Sequence, residues 1–268
     1  MQFDPTRRYR MPVFFGPSPG PRQDAVGGRF DYASSPRAHA TVSFLTDAAK
    51  LEALLPPGFS LDGDPVVTFE HFALTDIPWL AGRGYDALGM RFPARFKGQV
   101  DDVRGPLLTV LWENFADAIL TGRDELGYSK LFADLPPPEV GEGSRLYRAS
   151  WGGHEFLKME LSGLSASPPP TPAAVDGVLH YRYFPRVNAV GQADAAYPTL
   201  TPAVGKTETV EFYRGQGEVT LNRATWKQMP TQSHIVNILA DLPVLESRGA
   251  TFAVQRGAKD LSDVRILS

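Results

Sequence analysis

The chain has 268 residues, 43% of them hydrophobic, enough to bury about three-quarters of its unfolded surface and to build a water-free pocket without disulfide or metal. Its 27 basic and 30 acidic residues give a net charge of −3 and are mixed along the chain, with no basic block that would track nucleic-acid phosphates. The absence of cysteine excludes disulfide frameworks, thiolate zinc sites and cysteine nucleophiles, and no apolar run of about 18 residues offers a membrane span.

In chain order, residues 1–28 are rich in Pro, Gly and Arg and lack periodicity, so they read as an irregular arm that wraps the body or another subunit. The charged start MQFDPTRRYRMPVFF has too short an apolar stretch for a signal peptide, and a soluble cytoplasmic protein is expected. Period-two alternation predicts strands at 41–46, 65–74, 106–114, 144–152, 155–164, 178–187, 207–214, 216–223 and 250–257. Helices are predicted at 47–55 (DAAKLEALL), over part of 115–126, and at 231–242 (TQSHIVNILADL). The Pro-rich stretches 133–143 and 165–177 are too short for domain linkers and read as surface loops. The expected fold is therefore one α+β domain over 1–268, mostly antiparallel strand with few helices, closed or nearly closed into a barrel that removes sheet edges.

Most chemical signals are weak. The histidines His39, His71, His154, His180 and His234 have no metal-ligand spacing, so no metal site is expected; His39 and His71 could still line a pocket beside Arg37 and Glu70. Gly82-Arg83-Gly84 lacks the third glycine and the strand-to-helix frame of a dinucleotide loop, and neither a nucleophile elbow nor a P-loop occurs. YRYFP (181–185) reads as a half-buried strand.

One residue stands apart. TGRDELGYSKLFADLPPP (121–138) holds a single lysine, Lys130, among apolar, small and acidic neighbours, in a chain with only seven lysines. An ordinary lysine there would offset the negative end of a helix dipole in solvent. However, Gly122-Arg123-Asp124 followed by Tyr128-x-Lys130 resembles the signature of the acetoacetate decarboxylase family, whose lysine forms a Schiff base with a keto acid. Further likenesses follow in order: Arg37 before TVSFL and Thr46-Asp47, Phe69-Glu70 in the next strand, and LADLPVLE (239–246) at the closing helix and turn. The resemblance spans about Arg37 to Val254 and implies a barrel-like α+β fold, no cofactor and a homo-oligomer.

Two departures bear on chemistry. The family's decarboxylases carry a second lysine after the Schiff-base residue, where this chain has Leu131; their Tyr-x-Glu-x-Gly glutamate is replaced by Ala87 in Tyr85-Asp86-Ala87-Leu88-Gly89. A reactive amine must be neutral near pH 7, about 3 units below the ordinary value of about 10.4. A second ammonium about 7 Å away at an effective dielectric of 20 supplies only roughly 2 kcal/mol of that, whereas burial alone can supply about 3–5 units. The expectation is thus an uncharged amine at the floor of an apolar cavity made drier by Leu131 and Phe132, with Arg37 across from it and no carboxylate holding its proton. Without a glutamate to repel it, a substrate carboxylate could rest on Arg37, or on Arg123 in reserve, as a bidentate pair. The resemblance then implies a lyase that condenses pyruvate, through a Lys130 Schiff base, with an aldehyde and removes water: an aldolase-dehydratase, with Glu70, Tyr85 and Tyr128 as acid/base candidates. The competing readings are a decarboxylase of acetoacetate or another 3-oxo acid, with Asp86 replacing the absent glutamate, and a ligand-binding barrel without chemistry.

Overall fold

The computed structural model describes residues 2–171, 173–203 and 207–268. Its strands are β1 (Pro36–Leu45), β2 (Phe59–Leu61), β3 (Val66–Leu74), β4 (Tyr85–Lys97), β5 (Asp102–Glu113), β6 (Lys130–Phe132), β7 (Glu139–Gly141), β8 (Ser144–Trp151), β9 (His154–Ala166), β10 (Gly177–Pro185), β11 (Ala193–Pro202), β12 (Glu208–Leu221), β13 (Glu246–Arg256) and β14 (Arg265–Ile266). The helices are α1 (Ala48–Glu52), α2 (Ala116–Thr121), continued by a π-helical turn Gly122–Leu126, and α3 (Ser233–Ala240). No helix among the described residues is long and apolar enough to cross a membrane.

All these strands belong to one sheet in the order β14-β11-β10-β5-β4-β3-β1-β13-β12-β9-β8-β7, with β2 pairing β4 and β6 pairing β5. Neighbours are antiparallel except β5 with β10 and β5 with β6. The sheet curls without closing, since β14 and β7 end the path unpaired with each other, so the α+β, barrel-like expectation holds and full closure does not.

The alternation of β1, β3, β4 and β5 sends Val42, Phe69, Leu88, Met90, Val110 and Trp112 to the main core, where all are buried. Gln232, at the start of α3, accepts from Trp112 Nε1 at 2.7 Å and donates to Phe132 O at 3.1 Å, tying the helix to β5 and β6. The opposite faces of the same strands carry the polar residues. Register pairs align Arg37, Leu74 and Tyr85 in one row, His39, Phe72, Ala87 and Glu113 in the next, and Thr41, Glu70, Gly89, Leu111 and Lys130 in the third.

Several boundaries differ from expectation. β1 begins at Pro36, which brings Arg37 and His39 into the sheet. The two strands expected at 207–223 are one, Glu208–Leu221, with a register shift between Arg214 and Gln216. β4 and β11 were not expected at all. Gly84 just before β4, and Gly89 and Pro93 within it, interrupt the alternation, yet Pro93 falls between the segment paired with β3 and that paired with β2, where no ladder bond needs its missing N–H. Asp47 caps α1 by accepting from Ala49 N and Lys50 N. The helix expected within 115–126 divides into α2 and the π turn. In the Pro-rich loops, 133–143 contains β7, and residue 172 of the second lies outside the described residues. The described part of the arm folds back on its own chain: Glu125 pairs with Arg10 at 2.5 Å and with Arg22 at 2.8 Å.

Two buried histidines predict acid lability. Burial, with a contribution from His39, lowers His71 to about 3; burial, with the charge of Lys130, lowers His180 to about 3. Each is neutral in the fold and charges on unfolding, so its contribution is complete above the unfolded value of 6.5 and is lost as pH falls through the folded value. Thermal unfolding at stepped pH should therefore show stability falling by roughly 1.4 kcal/mol per pH unit per histidine below about pH 6. The difference between wild type and His180→Gln isolates one such term, and equal slopes for the two would contradict it.

Candidate active site

Lys130 is reached through a tight local construction. The π turn ends at Gly127 in the left-handed conformation (φ 79°), whose N–H donates to Arg123 O, and Tyr128 N donates to Gly122 O. The chain then enters β6, parallel to β5, pairing Lys130 with Leu111 and Phe132 with Glu113. Arg123 Nη1 donates to Lys130 O at 2.8 Å and so fixes the strand. Lys130 is buried (7% exposed) and lines a cavity of about 520 Å³ together with Arg22, Arg37, Tyr85, Gly122 and Thr201. A Cβ added at Gly122 would lie 2.4 Å from Lys130 Cε and 2.7 Å from Nζ, so the bare glycine is what lets the lysine pass.

The amine is not solitary. Nζ donates to Glu113 Oε1 at 2.7 Å and to Ala118 O at 3.0 Å. Glu113 is 1% exposed, and its Oε2 has no hydrogen-bond partner among the described residues. Burial pushes the Glu113 carboxyl up, against the opposing charge of Lys130. This corrects the expectation of an amine with no carboxylate beside it: Nζ lies 2.7 Å from a buried carboxyl, and nucleophilic attack requires a nitrogen free of its extra proton. In water the transfer from a lysine to a glutamate costs about 8 kcal/mol, from values of about 10.4 and 4.3. That is about half of the roughly 16 kcal/mol barrier of an enzyme turning over about 10 times per second. A carboxyl pushed up by burial narrows that gap from the Glu113 side.

The other expected residues separate by strand parity. Tyr85 lines the cavity; burial, then the nearby Glu113, raises its hydroxyl above the ordinary range. Arg37 also lines it, donating to Gln255 Oε1 at 2.8 Å and Thr207 Oγ1 at 3.2 Å, and burial lowers its pKa against the pull of Glu70. Glu70 shares that sheet face but does not line the cavity. It is bound by Arg91 at 2.9 Å and by His39 at 3.2 Å; burial pushes its carboxyl up, and Arg91 and His39 outweigh it to hold it low. Its position is that of a paired strand carboxylate. Asp86 points to the core face beside His71, 3.4 Å away, with Asn114 bridging its backbone, and burial raises it. It does not face Lys130. Arg123 is committed to the Lys130 carbonyl and does not line the cavity. Tyr128 likewise stands behind the lining: its hydroxyl bonds Thr201 Oγ1 at 2.5 Å, its ring stacks on His180, and burial pushes it up to about 12. Lys130 Nζ lies 5.7 Å from that ring's centre, so Tyr128 presents a face suited to a cation. Leu131 turns away to the main core and Phe132 is 43% exposed, so neither dries the cavity.

Sequence reasoning missed Lys259 and Asp260 of the cavity wall and, closer to Lys130, two more residues. Glu113 is one. The other is Arg22, delivered by the arm: nearly fully buried, it lines the cavity and bonds Glu125 at 2.8 Å and Thr121 O at 3.3 Å. No cluster of three or more His, Asp or Glu residues is placed to hold a metal ion among the described residues.

The family model described as acetoacetate decarboxylase matches residues 10–257. Solved structures with the same fold include an acetoacetate decarboxylase from Legionella pneumophila (17% identity over 89% of this chain and 88% of that one, TM-score 0.66). An acetoacetate decarboxylase-like enzyme from Sphingomonas wittichii RW1 aligns at 17% identity over 89% and 94%, TM-score 0.62. The enduracididine biosynthesis enzyme MppR, in complex with the condensation product of pyruvate and imidazole 4-carboxaldehyde, aligns at 15% over 94% and 98%, TM-score 0.60. No curated protein matches the chain.

Proposed function

The chain belongs to the acetoacetate decarboxylase family, and we propose that it is a Schiff-base lyase acting on small oxo acids, which condenses pyruvate with an aldehyde and then removes water. Lys130 is the nucleophile. The observation that carries this reading is Arg37: it lines the cavity on neutral hydrogen-bond partners, Gln255 and Thr207, whereas the other cations of the wall already hold acids, Arg22 on Glu125, Lys259 on Asp263 and Lys130 on Glu113. A carboxylate in such a site is retained, and a retained carboxylate favours carbon–carbon bond formation over loss of carbon dioxide. Arg37 holds it. The iminium formed on Lys130 loses a methyl proton to become an enamine, whose carbon attacks the aldehyde; elimination of water leaves an unsaturated iminium, and a second water hydrolyses its C=N bond to release the unsaturated oxo acid and the Lys130 amine. Tyr85, in the wall, is the group placed to carry a proton for these steps. MppR, bound to a pyruvate–aldehyde condensation product, supports the same substrate class.

Decarboxylation of acetoacetate is the second reading, favoured by the decarboxylases that share the fold. Supplying pyruvate with a panel of aldehydes and following the absorbance of the conjugated product, beside carbon dioxide release from acetoacetate, separates the two. The proposal expects product only in the first assay. Carbon dioxide release at about 1 per second or faster, with no conjugated product, would replace it with a decarboxylase; silence in both with retained binding would leave a ligand-binding barrel.

A further inference from the structure

The carboxylate expected at position 87 is absent, but its neighbour across the ladder is not. Ala87 of β4 and Glu113 of β5 are direct register partners, on the same sheet face. Cross-strand partners of this kind have Cβ atoms about 5 Å apart, within the reach of one side chain. Glu113 is thus a carboxylate moved one strand over, and it touches the reacting nitrogen itself, at 2.7 Å from Lys130 Nζ. Its second oxygen, Oε2, is buried with no partner among the described residues. A buried oxygen left unsatisfied is destabilising and calls for an explanation, and carrying a transferable proton is one.

Resting on the Schiff-base reading above, we infer that Glu113 is a catalytic residue: the proton carrier that frees the Lys130 amine and then expels water from the carbinolamine. The ammonium passes one proton to Glu113. The freed lone pair forms the N–C bond to the oxo carbon as the C=O π pair moves to oxygen, and that oxygen takes a second proton from nitrogen. Glu113 returns its proton to the resulting hydroxyl, which leaves as water as the nitrogen lone pair closes the N=C bond. The iminium keeps one N–H, Glu113 is again a carboxylate, and an ion pair present at the start is present at the end. No oxidant, metal or further acid is consumed.

The test is the rate at which pyruvate plus borohydride fixes an adduct on the chain, read by mass, together with thermal unfolding of each variant. Glu113→Gln keeps the shape and should form the adduct about 100-fold more slowly, within the range of general acid–base effects. The exchange variant Ala87→Glu/Glu113→Ala returns the carboxylate to the facing strand and should recover at least tenfold over Glu113→Ala. Glu113→Gln labelling as fast as wild type would overturn the assignment, and so would a folded exchange variant no faster than Glu113→Ala. If wild type itself forms no adduct at Lys130, the Schiff-base reading fails first; that outcome is distinct from a wild type that labels and a Glu113→Gln that labels equally well.

Discussion

Lys130→Ala should lose turnover of every oxo acid by at least about 10⁴-fold, because it removes the nucleophile, and the other amine of the cavity wall, Lys259, is tied to Pro202 O at 2.6 Å and to Asp263 at 2.7 Å. The variant should also unfold more easily, and with a pH signature. Breaking a buried ion pair by removing one partner typically costs about 3–5 kcal/mol, since the other charge is left without compensation. Glu113, already pushed up by burial, would lose the opposing charge of Lys130. For a carboxyl raised in the fold, stability is complete below its unfolded value and is lost as pH rises through the folded one. Lys130→Ala should therefore approach wild-type stability near pH 4 and fall away toward pH 8, and adding Glu113→Gln should remove most of that pH dependence. A Lys130→Ala variant equally stable at both ends would mean that the Glu113 contact carries little energy.

Gly122→Ala should disable the site, and its cost should come through Lys130 rather than through the backbone. Gly122 has φ −70° and ψ −42°, a right-handed helical conformation that alanine adopts readily, and alanine in a helix is favoured over glycine by roughly 1 kcal/mol. The added methyl instead meets Lys130: Cε at 2.4 Å, Cδ at 2.5 Å and Nζ at 2.7 Å. A lysine tip is flexible and will move, taking the amine away from Glu113 Oε1 and from the cavity. Turnover should fall by about 100-fold or more, consistent with an ångström-scale misplacement of a reacting group, and the thermal midpoint should fall as well, because the displaced amine leaves buried Glu113 without its opposing charge. Normal turnover in a folded Gly122→Ala would show that the amine does its work from some other position.

Lys130 was legible because its local pattern, Gly122-Arg123-Asp124 through Tyr128, is short and contiguous, and the strands at β1, β3 and β5 were legible because their alternation is nearly unbroken. Strand parity could have gone further. Asp86 follows Tyr85 directly, and Leu131 follows Lys130, so within a strand each must face the other way, as both do. Once β4 was missed behind its glycines and Pro93, however, that parity had no strand to act on. Glu113 needed more than parity, because its meeting with Lys130 depends on β6 lying parallel to β5, a pairing between residues 19 apart that no local pattern encodes. The only sequence hint was a lone carboxylate at the end of the apolar run LLTVLWE. Arg22 gave less still. It comes from an aperiodic arm, and it is the Arg22–Glu125, Arg10–Glu125 and Arg22–Thr121 contacts that reveal that the arm closes over the π turn beside the cavity.

The most direct measurement is borohydride reduction of the full chain with pyruvate, followed by peptide mass mapping. The account predicts one reduced pyruvate adduct, on the peptide containing Lys130, and none on Lys130→Ala. An adduct spread over Lys50, Lys158 and Lys227, or one that persists unchanged without Lys130, would contradict it.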